Sequence, residues 1–235
     1  MQLFKEANRM LNQLDAVYQT HGVVNIMDAN ADGDDLLLNG KRFPLLRQQA
    51  AKLKKDDPFL CLSDFVRPLS SGITDKIGAF ATTVDAEMEQ LYAEDDYKRM
   101  LAQTLSDRLA EATAEKLHED VRKKLWGYAP DENLSVKDLH NEKYQGIRPA
   151  VGYPSLPDQS INFLLDELLD MKQIGISLTE NGMMKPYASV CGLMFAHPAS
   201  RYFSIGKIGE DQLADYAARR GMSIEETKKF LAANL

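Results

Sequence analysis

Apolar side chains recur at helical spacing over residues 2–20, where Leu3, Phe4, Ala7, Met10, Leu11 and Leu14 share one face, and Gly22 marks the predicted end of that helix. From Val23 to Asn39 the pattern alternates apolar and polar around a polar centre at 30–35, as a hairpin does. A second helix is predicted over 43–54. Strands are predicted over 59–65 and 77–84, the latter rich in β-formers around Gly78 and Ala79. The longest predicted element is a helix over 85–125, with an apolar stripe of Leu101, Leu105, Leu109, Ala112, Leu117, Val121 and Leu125 and a stop at Gly127.

Further along, Ser135 and Asp138 have the spacing of an N-terminal cap and predict a short helix. Residues 146–157, GIRPAVGYPSLP, form a loop in which three prolines restrict the backbone. A helix over 160–173 carries Phe163, Leu164, Leu168 and Met171 on one face. Strands are predicted over 174–179, 188–196 and 202–208. Two helices close the chain over 211–219 and 224–232, the last entered through Ser223 and Glu226 at capping-box spacing. Helices at both ends with strands grouped between them indicate an α+β fold with a largely antiparallel sheet. With no Gly/Ser-rich linker and no internal repeat, residues 1–235 read as one domain.

Composition narrows the function classes. A net charge of −7 argues against a general nucleic-acid or acidic-membrane binder, since phosphate contacts need clustered Lys and Arg. No apolar run approaches the ~20 residues that span a bilayer, and the first ten residues lack a signal-peptide core. The two cysteines, Cys61 and Cys191, lie far apart and form neither a disulfide framework nor a paired metal site, which points to a reducing cytoplasm.

Several motifs begin well and fail. Asp28, Asn30, Asp32 and Gly33 open like a calcium loop, but the twelfth position is Asn39 and a strand precedes it, so a polar hairpin turn is expected. His118-Glu119 starts a zinc-protease helix, with Arg122 where the second ligand should stand. Asp138-Leu-His140 starts a cobalamin-ligating motif, with Lys143 in place of its glycine, so His140 is expected in solvent. Cys191 and His197 could pair, although a buried thiol and a structural histidine are the commoner outcome. Residues 210–235 outline a helix-turn-helix with four basic and five acidic side chains, too little positive charge for DNA. Gly206 and Gly209 lack the three-glycine spacing of a dinucleotide fold. No metal site is predicted.

The blocks RLAEATAEKLHEDVRK (108–123), WGYAP (126–130) and YQGIRPAVGYP (144–154) carry a different signal. They are flanked by LSDFV (62–66), IGAFAT (77–82), LTE (178–180), FAHPASRYF (195–203) and DYAARRGMS (215–223). In this order they resemble the activation domain of cobalamin-dependent methionine synthase, from about Leu3 to the C-terminus. The resemblance implies a C-shaped α+β domain with a bent antiparallel sheet and helical flanks. It also implies a role in reactivation: when the enzyme's cobalamin falls to inert cob(II)alamin, an electron from flavodoxin or a flavoprotein reductase and a methyl group from S-adenosylmethionine restore it. The cobalamin is carried by a partner domain or chain, which the module caps.

Residue by residue, the resemblance places Arg148 on the donor's carboxylate, for which a planar guanidinium is suited. It places Tyr202 and Phe203 against the adenosine, beside backbone at Ala150, and Tyr153 toward the corrin. Glu111 and Glu142 match carboxylates near the donor's fixed sulfonium cation. No catalytic acid or base is implied, because methyl displacement mainly needs its two cofactors oriented and kept from water. The resemblance puts a further acidic donor-binding residue ahead of Met1, so this chain is expected to hold the donor more weakly or with a partner's help. It also puts Lys185 where many relatives carry Trp. Two functions follow as expectations: an activation subunit working in trans, or a docking and regulatory module for a corrinoid protein.

Overall fold

The computed structural model describes residues 2–49 and 57–235. Helix α1 (Gln2–Asp15) buries Met10 and Leu14 and ends earlier than the pattern predicts. Gly22 lies inside the first strand and not at a helix stop. It sits where the second long helix crosses the sheet, its Cα side facing Leu117 and Thr82. Strands β1 (Thr20–Asp32) and β2 (Asp35–Leu38) form the predicted hairpin, turning at Gly33, whose φ of +63° suits a residue without Cβ. Asp28 to Asn39 is therefore a hairpin with the expected polar turn, its Leu36 and Leu38 entering the core.

The predicted helix over 43–54 is replaced, in its described part, by strand β3 (Lys41–Pro44), which pairs with β2. Phe43 and Leu45 enter the core under the sheet and Leu46 a separate C-terminal cluster, a split that one helical face could not make. Residues 50–54 of that prediction lie outside the described residues. The predicted strand at 59–65 is a short 3₁₀ turn over Leu62–Phe65, because the Asp64 carboxylate accepts the Cys61 N–H at 2.9 Å and closes a cap.

Strand β4 (Asp75–Val84) is an interior strand of the sheet, and its residues from Ile77 to Val84 are all buried. Helix α2 (Asp96–Asp120) starts about ten residues later than predicted. Asp85 is engaged elsewhere, accepting from the Gln19 N–H at 2.8 Å and meeting His21 Nε2 at 2.6 Å, and Asp95 is the N-cap. Of the expected stripe, Val121 is buried and Leu101, Leu105, Leu109 and Leu117 pack against the core, whereas Ala112 and Leu125 are exposed; the fully buried line of α2 is Ala102, Ser106, Ala110, Ala114 and His118. Small residues at i, i+4 let the helix close onto the sheet, with Thr82 Oγ1 donating to the Ala110 carbonyl at 2.9 Å. The chain continues through one π turn over Val121–Leu125, and Gly127 (φ +74°) ends it.

Helix α3 (Val136–His140) has the predicted Ser135–Asp138 capping box, and His140 is exposed. Helix α4 (Ile161–Leu169) covers the sheet face opposite α2, sending Ile161, Leu165 and Leu169 into the main core; a 3₁₀ turn over Met171–Ile174 follows. Strands β5 (Ser177–Leu178) and β6 (Met184–Lys185) make a small separate ribbon, and β7 (Ser189–Met194) pairs with β4. The large sheet runs β3-β2-β1-β4-β7, antiparallel throughout and bent, with helices on both faces, so the α+β expectation holds.

Residues 202–208 form no strand. Phe203 exchanges hydrogen bonds with Ser155 Oγ and Ile205 N–H donates to the Pro154 carbonyl at 2.9 Å, so this segment is stitched to a loop and not to a ladder. Helices α5 (Glu210–Arg220) and α6 (Ile224–Leu231) pack as a pair, α6 capped by Ser223. Buried Tyr216 donates to Asp158 Oδ2 at 2.7 Å, and Ser160 Oγ donates to the same oxygen at 2.8 Å. The helix pair thereby anchors the end of the 146–157 loop.

Candidate functional site

The segment 147–151 lies antiparallel along β7. Ile147 and Phe195 exchange backbone hydrogen bonds of 3.0 and 2.9 Å, Leu193 N–H reaches the Pro149 carbonyl at 3.1 Å, and Val151 N–H reaches the Cys191 carbonyl at 2.9 Å. Two glycines permit this approach. A Cβ on Gly192 would stand 2.2 Å from the Pro149 oxygen, and one on Gly146 would stand 2.4 Å from the Phe195 oxygen. The prolines and the pairing together hold Arg148 in a fixed backbone frame, and the Tyr202 hydroxyl accepts the Arg148 N–H at 3.0 Å.

A cleft of about 520 Å³ opens between this segment, the C-terminal half of α2 and residues 202–204. All seven residues singled out from the sequence line it. Glu111 enters from α2 and Glu142 from just after α3, where its φ is +52°. Arg148 and Ala150 form the floor, and Tyr202 and Phe203 form one wall. Tyr153, 54% exposed, stands at the rim 3.5 Å from Glu111 Oε1. Burial raises the Tyr202 phenol above its ordinary value, so it stays protonated.

Beneath the floor lies a polar layer that no sequence motif announced. The Arg122 guanidinium, fully buried on the π turn, makes two 2.7 Å hydrogen bonds to Glu132 and stacks 4.4 Å from the Tyr144 ring centre. His118 is buried against the edge of Tyr144, 5.1 Å between ring centres, and its Nε2 lies 3.4 Å from the Tyr128 hydroxyl. Burial, and then the Arg122 and Arg148 cations, push His118 well below its ordinary 6.5. Arg148 itself pairs with Glu115, one helical turn beyond Glu111. Cys191 and His197 do not pair, and the thiol is buried as expected: Cys191 Sγ donates to Asn162 Oδ1 at 3.0 Å, and His197 Nδ1 accepts the Ala199 N–H at 3.1 Å.

The His118 environment sets a pH dependence with a definite sign. The folded chain keeps this imidazole neutral, whereas the unfolded chain protonates it below about 6.5. Unfolding then takes up a proton, so stability falls as the pH drops below 6.5, by at most about 1.4 kcal/mol per pH unit. Urea denaturation between pH 7 and 5 reads this slope, and His118→Asn is expected to flatten it. An equal slope in the variant would assign the effect elsewhere.

A family described as "Vitamin B12 dependent methionine synthase, activation domain" matches residues 1–221. The chain belongs to that family. A crystal structure described as the MetH reactivation domain bound to AdoHcy is 45% identical in sequence, with a TM-score of 0.92. It matches 100% of this chain and 76% of its own. The family read from the ordered sequence blocks is thus the family found, and the cleft belongs to an activation-domain fold. Pattern alone could not have found this domain's buried polar layer, because Glu132 reaches Arg122 across the π turn and the reversal at Gly127.

Proposed function

We propose that the cleft binds S-adenosylmethionine and that the chain supports the reductive methylation of cob(II)alamin held by methionine synthase, in trans on a partner chain. The observation that carries this is Arg148. It lines a cleft that also holds two carboxylates and an aromatic wall, and its Nε is buried with no protein partner. The donor set fits the ligand's charges: a cation for its carboxylate, and Glu111 and Glu142 for its sulfonium and ammonium. The solved relative's bound AdoHcy, the same molecule without the methyl group, supports the reading.

When bound, the ligand supplies an electrophilic methyl group on a sulfonium, and an electron from flavodoxin or a flavoprotein reductase makes the cobalt nucleophilic. The chain's own task is placement. Arg148 takes the carboxylate, the wall of Tyr202 and Phe203 flanks the nucleoside, and the 147–151 backbone keeps that floor rigid. The exposed ring of Tyr153 offers a contact to the cobalamin-bearing partner. No proton moves in a methyl displacement, which agrees with burial raising the Tyr144 and Tyr202 phenols and keeping the buried His118 neutral.

Calorimetry with the purified chain, alone and with a cobalamin-bearing partner, tests the reading. S-adenosylmethionine and S-adenosylhomocysteine are both expected to bind. Heat from neither ligand, with or without the partner, would end it. Partner binding without ligand binding would instead make the chain a docking module.

A further inference from the structure

We infer that Glu115 is a positioning residue for Arg148, holding the guanidinium toward the cleft before a ligand carboxylate arrives. The inference rests on the donor-binding reading above. Arg148 is a long side chain only 16% exposed, and its charged end has one protein partner among the described residues, Glu115 through Nη2. Its Nε is buried and unpaired, so nothing else fixes the plane of the fork. Release of Glu115 leaves that plane free to turn.

Position on α2 explains why Glu115 orients Arg148 without competing for its ligand. Glu111 lines the cleft; Glu115, four residues on and 47% exposed, does not. It therefore meets the guanidinium from outside the cavity and leaves the cavity-side N–H groups open. The neighbouring cation needs no such help, since Arg122 is satisfied in bidentate fashion by Glu132. Both guanidiniums depress the pKa of the His118 between them, so the two cations share one neighbourhood. Without Glu115, repulsion from Arg122 and attraction to Glu111 and Glu142 would draw Arg148 out of its binding geometry. A ligand would then meet the cost of ordering the arginine on arrival.

The test compares S-adenosylmethionine with its decarboxylated form, which lacks only the carboxylate. In Glu115→Ala, affinity for the full ligand should fall about tenfold, while the decarboxylated form changes by less than about twofold. Glu115→Gln, whose amide oxygen still accepts from Nη2, should recover most of the loss. Equal losses for both ligands would reduce Glu115 to general support of the fold, and no loss would show that Arg148 is held without it; either result overturns the inference. If the unaltered chain binds no ligand, the donor-binding reading fails first and takes this one with it, so the two failures are distinct.

Discussion

Replacing Glu132 by Ala is expected to destabilise the fold by about 3–5 kcal/mol, as removal of one partner from a buried ion pair does. Arg122 has no exposed side-chain surface, and Glu132 provides both of its 2.7 Å hydrogen bonds. The Nη1 nitrogen is already buried without a partner, so no spare acceptor stands ready. The Tyr144 ring at 4.4 Å offers the cation a π face, worth less than the carboxylate it would have to replace. Removing the charge itself should relieve the problem: Arg122→Met combined with Glu132→Ala is expected to be more stable than Glu132→Ala alone. Urea denaturation of both variants provides the comparison. A loss under about 1 kcal/mol for Glu132→Ala would place the pair in the class of exposed salt bridges and contradict its burial.

That ion pair also marks the limit of what the sequence made legible. Local chemistry was readable wherever it decided the structure. Ser135 and Asp138 form their cap, Ser223 starts α6, and the polar centre after Asp28 is a hairpin turn. Apolar spacing misled where tertiary partners decided. Phe43 and Leu46 look helical together yet serve two different clusters, and the 202–208 segment has strand-like residues whose hydrogen bonds go to Ser155 and Pro154. On α2, leucine spacing drew attention away from the small residues at 102, 106, 110 and 114, which mark the buried line leading to His118 and Arg122. The cleft residues came from resemblance to a family and not from pattern, because Glu111, Arg148 and Tyr202 meet only after three separate segments are folded together.

Replacing Arg148 by Ala is expected to weaken S-adenosylmethionine binding by roughly a hundredfold, the size of a lost charge-assisted hydrogen bond to a carboxylate. The loss should belong to the site and not to the fold. Its neighbours Ile147 and Pro149 keep their backbone pairing with the β7 segment, and the Arg148 N–H keeps its 3.0 Å bond to the Tyr202 hydroxyl, none of which uses the side chain. Glu115, half exposed, regains water when its partner is removed, so the thermal midpoint should move little. Arg148→Lys keeps the charge but loses the planar fork, and should recover only part of the affinity. Calorimetry measures the binding change, and donor-dependent remethylation of cobalamin on a partner reads its consequence. Retained docking with lost methylation would separate delivery of the methyl group from recognition of the partner; unchanged ligand affinity would place the ligand's carboxylate on another residue. The variant also fixes the logic of Glu115. If that carboxylate acts only by orienting Arg148, then Glu115→Ala should cost nothing further once Arg148 is already Ala, a coupling that a double-mutant cycle measures directly.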